Sequence, residues 1–355
     1  MVYFGTNMIT FNPIQLEIIN HIKDRGAVSF SEIFAQLTTA VSERTVKRYL
    51  TELAERNILA TVGGGRSLTY TLPPHGRFFV PIDVQAYTVQ EPDKKTGVLS
   101  SYQFDTFSDR PDTFFSADEL QVLHDATTLY QTKTTAQSED IKARELERFV
   151  IELSWKSSRI EGNTYTLLDT ERLIKEGIPS ATNTQEETVM ILNHKKAFDF
   201  VRENTQSFTN GLTASYVEKV HSLLMDGLLT DTGLRKHGVG ITGSGYRPLD
   251  NQFQIGEALT SCITSINTCN TVYDKALLTL IGISYIQPFV DGNKRTARLV
   301  ANGILLTEQA SPLSYRNVDE TIYRASLLAF YEQLSAMPMK DLFIEQYLFA
   351  ARQYS

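Results

Sequence analysis

Residues 287–298 read Gln-Pro-Phe-Val-Asp-Gly-Asn-Lys-Arg-Thr-Ala-Arg, which sets two guanidiniums, an ammonium and a carboxylate around a Gly-Asn pair. Upstream, the run 274–286 holds Ala276, Leu277, Leu278, Leu280, Ile281 and Ile283 and is apolar nearly all round, as a helix buried in a core must be. Pro288 ends that helix, and a second is expected from about Arg295 through Leu299, Val300, Ile304 and Leu305. Between them, Gly292 and Asn293 allow backbone N–H groups to converge on an anion at the second helix's N-terminus, where the dipole adds positive potential. Arg295 and Arg298 bring fixed donors for phosphate oxygens, Lys294 adds charge, and Asp291 offers a hard oxygen suited to Mg²⁺. A plain helix corner has no need of this set.

The run resembles the signature of the Fic family, His-Pro-Phe-x-Asp/Glu-Gly-Asn-Gly-Arg-x-x-Arg, at Pro288, Phe289, Asp291, Gly292, Asn293, Arg295 and Arg298. The resemblance implies an all-α domain that binds ATP with Mg²⁺ and moves AMP onto a Ser, Thr or Tyr hydroxyl of a protein. It implies Asp291 on the metal, Asn293 and the loop amides on the α- and β-phosphates, Arg295 and Arg298 on the outer phosphates, and Phe289 as a core anchor. Two positions depart from the pattern. Lys294 replaces the second Gly, as in some members, including the toxin branch resembling Doc that transfers phosphate; the anion site is kept and a charge added. Gln287 stands where the family's His removes the proton from the incoming hydroxyl. A carboxamide can hydrogen-bond that hydroxyl but is no base near neutral pH, and general-base catalysis is worth about 10²- to 10⁴-fold. That corresponds to a barrier raised by about 3 to 5 kcal/mol. The six histidines, His21, His75, His124, His194, His221 and His237, all lie outside the segment.

Two further segments accompany it. Residues 157–162, Ser-Ser-Arg-Ile-Glu-Gly, end a helix whose apolar face includes Leu146, Phe149, Val150 and Leu153, with Ser157 and Glu161 one turn apart on a shared face. Taken alone this is a helix end capped by Gly162-Asn163. Beside the phosphate loop it resembles the family's inhibitory motif, Ser/Thr-x-x-x-Glu-Gly/Asn, which implies that Glu161 pairs with Arg298 and bars the γ-phosphate, within one chain. Residues 238–250, with Val239 and Ile241 before a Gly-rich turn, read as a short exposed hairpin. It resembles the family's flap, whose edge would dock an extended protein target; a plain surface loop reads nearly as well.

These segments need a helical scaffold, and from Ser116 to the C-terminus the pattern is mostly helical, so the Fic-type domain is taken as 116–355, with an inhibitory helix at 139–162 and the flap at 238–250. The N-terminal unit, 1–75, differs. Helix one buries Ile14, Ile18, Ile19 and Ile22; helix two starts at Ser29 with Glu32 completing a capping box and carries Ile33, Phe34 and Leu37; helix three starts near Ser42 and buries Val46, Leu50 and Leu53. Segments 58–62 and 66–72 then flank Gly63-Gly64-Gly65 as a hairpin. Three helices and a hairpin resemble a winged helix-turn-helix, which would point Arg44, Thr45, Lys47 and Arg48 at a DNA groove, with Arg66 on the wing. Residues 13–72 carry seven Lys and Arg against six Asp and Glu, so protein contacts read as well as DNA contacts. Residues 76–115 carry Pro81, Pro92 and Pro111 and read as a structured connector of extended pieces (78–80, 84–89, 102–107) packed on a domain, because a free linker would not hold so many aromatics.

The fold class expected is therefore mainly α: an all-α Fic-type core with a small β-hairpin flap, preceded by an α+β winged helix. A net charge of −7 argues against a surface that coats nucleic acid or anionic lipid. Met1 to Gly26 offers no uninterrupted apolar leader, no membrane span is expected, and Cys262 and Cys269, seven apart on a helix, do not readily bridge. A reduced cytoplasmic setting is the default, no His or Cys cluster has metal-ligand spacing, and a homodimer is left open. The leading reading is an autoinhibited protein adenylyltransferase impaired at Gln287. Its rival is an ATP-sensing, DNA-binding regulator that transfers nothing. A third is hydrolytic AMP removal with Glu161 orienting water. Tyr315 and Tyr323 could stack on a base, though aromatics at helical spacing are more often core.

Overall fold

The computed structural model describes residues 10–91, 94–208 and 210–354. Residues 1–9, read above as free of an apolar leader, and Pro92 of the connector lie outside the described residues.

Local capping starts the first helices. Asn12 and Gln15 cap one another's backbone N–H around Pro13 to open α1 (Pro13–Arg25). Strand β1 (Val28–Ser29) leads into α2 (Phe30–Gln36), opened by the Ser29–Glu32 capping box, and Ser42 caps α3 (Glu43–Glu55). Strands β2 (Ala60–Val62) and β3 (Thr69–Thr71) follow, and the sheet runs β1-β3-β2, antiparallel throughout, with Tyr70 opposite both Val28 and Thr61. The hairpin is shorter than its sequence pattern, and its tip winds into a 3₁₀ turn at Gly65–Ser67. Strand β1 escaped the sequence reading because two residues show no alternation. Ile18, Ile19, Ile22, Ile33, Val46, Leu50 and Leu53 are fully buried in this small core.

The connector differs from the extended pieces expected. It forms α4 (Pro74–Phe78), α5 (Val84–Thr88) and a 3₁₀ turn, Phe104–Thr106. Pro74 is suited to a helix's first turn, and the Asp83 carboxylate accepts from the amides of Gln85 and Ala86, so both short helices are nucleated locally. The boundary placed at 75 falls inside α4, and the small core runs on to Phe79 and Val80 and takes Met337 from the far end of the chain. Phe78, Tyr102, Phe107, Phe114 and Phe115 are buried against the main core.

The main core is helical: α6 (Ala117–Ala136), α7 (Glu139–Ile160), α8 (Leu167–Glu176), α9 (Gln185–Glu203), α10 (Ala214–Leu224), α11 (Gln252–Asn267), α12 (Val272–Ile286), α13 (Asn293–Thr307), α14 (Glu320–Gln333) and α15 (Met337–Gln353). Helix α12 is its axis, buried around its whole circumference and packed against α11, α13 and α14. Among the described residues no helix is long and apolar enough to cross a membrane. Cys262 and Cys269 are buried free thiols.

Residues 238–250 form no hairpin. The segment is an irregular loop whose Arg247 makes one parallel bridge to Ser101. Its Ser244 hydroxyl (2.6 Å) and Gly245 amide (3.3 Å) donate to the buried Glu332 carboxylate, which also takes Lys95 (2.9 Å) and the Tyr87 hydroxyl from the connector. Gly238, Gly240, Gly243 and Gly245 supply no side chains for cross-strand pairs, so the backbone finds its partners in the connector and α14 instead.

Candidate functional site

Helix α12 is capped by Gln287, which takes the left-handed conformation (φ 51°), and the loop it opens leads to Gly292, also left-handed at φ 78°. Gly292 needs to be glycine twice over: a Cβ there would lie 2.8 Å from the Met225 sulfur, in a backbone conformation most side chains avoid. As the N-cap of α13 it has no side chain to offer the first-turn amides. Those amides open toward a cleft of about 610 Å³ lined by Gly292, Asn293 and Lys294, with Gln287, Asp291, Glu161, Gly240, Ile241, Thr242, Arg324 and Tyr331 around it. Helix α13 thus begins at Asn293, two residues before the start expected at Arg295.

Asn293 is placed differently from the phosphate ligand the resemblance implied. Its side-chain amide donates to the Phe289 carbonyl (2.9 Å) and to Gln287 Oε1 (3.0 Å), and its oxygen accepts from the Phe289 amide (2.9 Å). The side chain braces the loop, leaving the backbone N–H as its contribution to an anion. Gln287 is held from both ends, since its own Nε2 donates to Ser284 O at 2.6 Å.

No described histidine lines the cleft to replace the missing base. His221 comes nearest, with Nε2 2.9 Å from the Asp291 carbonyl and Nδ1 2.8 Å from the Thr232 carbonyl, but its ring stacks on Phe289 behind the loop (3.7 Å between centroids, 7°). Burial lowers its pKa against the pull of those two carbonyls. His194 is fully buried, its pKa driven well below the ordinary value by burial and then by Arg298 and Arg295.

The cations converge. Arg295, 1% exposed, donates to Asp291 Oδ2 at 2.8 Å, while its Nε and Nη1 have no partner among the described residues. Arg298, fully buried, donates from Nε to the Ser157 hydroxyl (2.9 Å) and from Nη2 to Ser157 O (2.8 Å) and Glu161 Oε1 (3.0 Å). The other Glu161 oxygen takes Lys294 Nζ at 2.7 Å, so each oxygen of this carboxylate has its own cation. Tyr323 and Tyr315 lie 5.3 and 5.9 Å from the Arg298 guanidinium and are buried around it, which makes them walls of this ion pair. The Asp291 carboxylate, 64% exposed, has room for a hydrated Mg²⁺ held jointly with phosphate oxygens. Among the described residues no group of three or more candidate ligands could hold a metal by itself.

Burial alone would raise the pKa of Glu161, but Arg298 and then Lys294 outweigh it and bring the group to about 2. A folded-state pKa below the unfolded one gives stability that is complete above the unfolded value and lost as pH falls toward the folded one. The stability gap between wild type and Glu161→Gln, measured by denaturant titration, is therefore expected to be about 3 kcal/mol above pH 5. It closes between about pH 4.5 and pH 2. A gap independent of pH would reject this account.

Arg235, His221, Arg324 and Tyr331 also shape the site, and no spacing in the sequence pointed to them. Arg324 donates from Nε and Nη2 to Ile160 O (3.1 and 2.5 Å), fixing the end of α7 from which Glu161 projects. A larger groove of about 890 Å³ runs along α11, but its Arg110 is fully committed to Ser265, Thr268 and Pro111.

On the N-terminal unit, Lys47 pairs with Glu43 (3.0 Å) over the Phe30 ring, and Arg48 with Glu52 (3.6 Å) over Tyr49. Thr45 donates its amide to Ser42 in the cap of α3. Arg44 and Arg66 are exposed and make no ion pair among the described residues.

Residues 211–305 match the Fic/DOC family, and residues 12–73 match the penicillinase repressor family. Among solved structures, the chain is similar to a Fic domain containing signaling protein from Bacteroides thetaiotaomicron (19% identity, TM-score 0.53, covering 66% of this chain and 95% of that one). It is similar also to a fragment of Fic-1 from C. elegans (16% identity, TM-score 0.56, 66% and 71%). A third is a Fic family protein from Desulfovibrio desulfuricans (19% identity, TM-score 0.56, 68% and 75%). At these identities the likeness is one of fold.

Proposed function

We propose that this chain, which carries a Fic/DOC domain behind a winged-helix domain, binds ATP with Mg²⁺ at the N-terminus of α13 under the control of Glu161, and is a protein adenylyltransferase impaired at Gln287. The observation that carries the reading is the pairing of buried Arg298 and half-buried Lys294 with one carboxylate, Glu161, beside an uncapped helix N-terminus. A carboxylate sits on cations that would otherwise face a nucleotide's outer phosphates.

In this reading the α13 amides and Arg295 hold the inner phosphates, Arg298 and Lys294 take the outer ones once Glu161 leaves, and Asp291 holds the metal. Mg²⁺ would neutralise phosphate charge and orient its oxygens. A target's hydroxyl would approach past Gly240, Ile241 and Thr242, with the 238–250 loop as its docking edge. Gln287 can accept or donate a hydrogen bond to that hydroxyl but cannot take its proton at neutral pH. The test is calorimetric titration with ATP·Mg²⁺ together with transfer of label from ATP to lysate proteins, in wild type, Glu161→Gly and Gln287→His. Absence of ATP·Mg²⁺ binding in Glu161→Gly would sink the reading.

One observation favours the regulator that transfers nothing: both ends of the Gln287 carboxamide are already bonded within the loop. Its second arm is DNA. Since Lys47 and Arg48 are paired in place, Arg44 and Arg66 are the cations open to phosphate contact. A winged helix that uses them gives a salt-dependent mobility shift with duplex DNA, and Arg44→Ala lowers the slope of log affinity against log salt by about 1. No shift at low salt would leave this domain to protein contacts.

A further inference from the structure

We infer that His221, donating from Nε2 to the Asp291 carbonyl, is a positioning residue which turns the Gly292 amide toward the anion, and that Arg235 fixes the start of the loop that carries it. The inference rests on the nucleotide reading above. A peptide plane carries C=O and N–H on opposite edges, so whatever captures a loop's carbonyls on one side presents its amides on the other.

Arg235, 2% exposed, gathers the carbonyls at the start of the loop. Its Nε donates to Gln287 O at 2.6 Å, its Nη2 to Ile286 O at 3.4 Å, and its backbone N–H to Pro288 O at 3.0 Å. Its remaining nitrogen, Nη1, donates to His237 O at 2.7 Å and so locks the turn that carries Arg235 itself. His221, from α10, takes the next carbonyl, that of Asp291, and its ring lies flat on Phe289. Asn293 takes the Phe289 carbonyl between them.

Five carbonyls from Ile286 to Asp291 are thereby bonded, by one residue on α10, one on the loop after it and one on α13; on the opposite edges Pro288 has no N–H, the Gln287 amide goes to Ile283 O and the Phe289 amide to the Asn293 side chain, which leaves the amides of Val290 and Gly292. The Gly292 amide, opposite the Asp291 carbonyl that His221 takes, leads into the uncapped start of α13. Neither Arg235 nor His221 lines the cleft, so neither touches a nucleotide there. Their effect reaches it through the backbone.

The test uses the full chain in the Glu161→Gly background and three readouts: ATP·Mg²⁺ affinity by calorimetry, thermal midpoint, and hydrogen exchange of the amides 289–295. His221→Gln keeps a donor near the position of Nε2 and can still reach Asp291 O, whereas His221→Asn keeps one only near Nδ1, toward Thr232. The Asn variant is expected to bind ATP·Mg²⁺ about tenfold more weakly and to exchange faster at 291–295, and the Gln variant to recover most of the loss, at similar thermal midpoints. Arg235→Lys, which keeps the charge but not the fork of donors, is expected to loosen the start of the loop and speed exchange at 289–292. Should it fail to fold, the two His221 variants decide the matter, since neither removes a buried charge. Equal affinity and equal exchange in those two variants overturn the inference. If Glu161→Gly itself binds no ATP·Mg²⁺, the nucleotide reading falls, and the exchange difference between the His221 variants still decides whether the loop is positioned this way.

Discussion

In Glu161→Gly, ATP·Mg²⁺ affinity is expected to rise by about 10- to 100-fold, which is about 1.4 to 2.8 kcal/mol. The carboxylate holds Arg298 at 3.0 Å and Lys294 at 2.7 Å, and a phosphate must displace it to reach either cation. Hydrogen bonds to charged groups contribute about 1.5 to 3 kcal/mol each, and the phosphate regains much of that for itself. The same substitution lowers stability, because Arg298 is fully buried and loses its counter-charge; removing one partner of such a pair costs about 3 to 5 kcal/mol. Opposite signs for affinity and stability distinguish an inhibitory carboxylate from a purely structural one. Calorimetry and a denaturant titration on the same preparation give both. Unchanged affinity with lowered stability would leave Glu161 a structural residue. On that reading Lys294, bonded to Glu161 at 2.7 Å, would strengthen the block in the resting state and join the anion site in the released one.

Gln287→His, combined with Glu161→Gly, is expected to raise transfer of label from ATP to protein by about 10²- to 10⁴-fold over Glu161→Gly alone. The position accepts the change. Its left-handed backbone is one that His adopts more readily than most side chains, and the Asn293 amide keeps the Phe289 carbonyl as acceptor, so the imidazole lone pair is free for the hydroxyl. No other group described at the cleft can act as the base: its carboxylates are committed to Arg298 with Lys294 and to Arg295, and its tyrosine, Tyr331, is pushed by burial well above its ordinary pKa. Label in Glu161→Gly alone at the level of the double variant would mean that the carboxamide suffices. No label in the double variant, with ATP still bound, would favour the regulator.

The loop at 287–298 and the helix it opens were legible because their information is local. Gly292, Asn293 and the cations at 294, 295 and 298 lie within two helical turns, and the Fic/DOC match at 211–305 spans them. The winged helix was legible for a similar reason: Ser29 with Glu32 and Ser42 with Thr45 announce helix starts within three residues, and the penicillinase repressor match covers the unit. Segment 238–250 was misread as a hairpin because alternation predicts a strand only where a partner strand exists, and Ser101 and Glu332 lie far away in sequence. The connector was misread because its prolines suggested extension, whereas Pro74 and Asp83 start short helices.

What the sequence by itself determined is the inventory and its order: a Gly-Asn helix start with three cations in its first turns, a carboxylate one turn after Ser157, a Gln at the head of the loop, and a separate small domain ahead of them. Only the tertiary structure decided the use of each group. It turned the Asn293 side chain inward to brace the loop, closed Tyr315 and Tyr323 around Arg298, gave Glu161 a second cation in Lys294, and brought Arg235 and His221 behind the loop to take its carbonyls. The physical reason is range. Helix and turn chemistry closes within about four residues and so leaves a readable period. A buried charge or an unpaired carbonyl must be satisfied by whichever group the packed fold brings to it, and that partner has no fixed spacing in the chain.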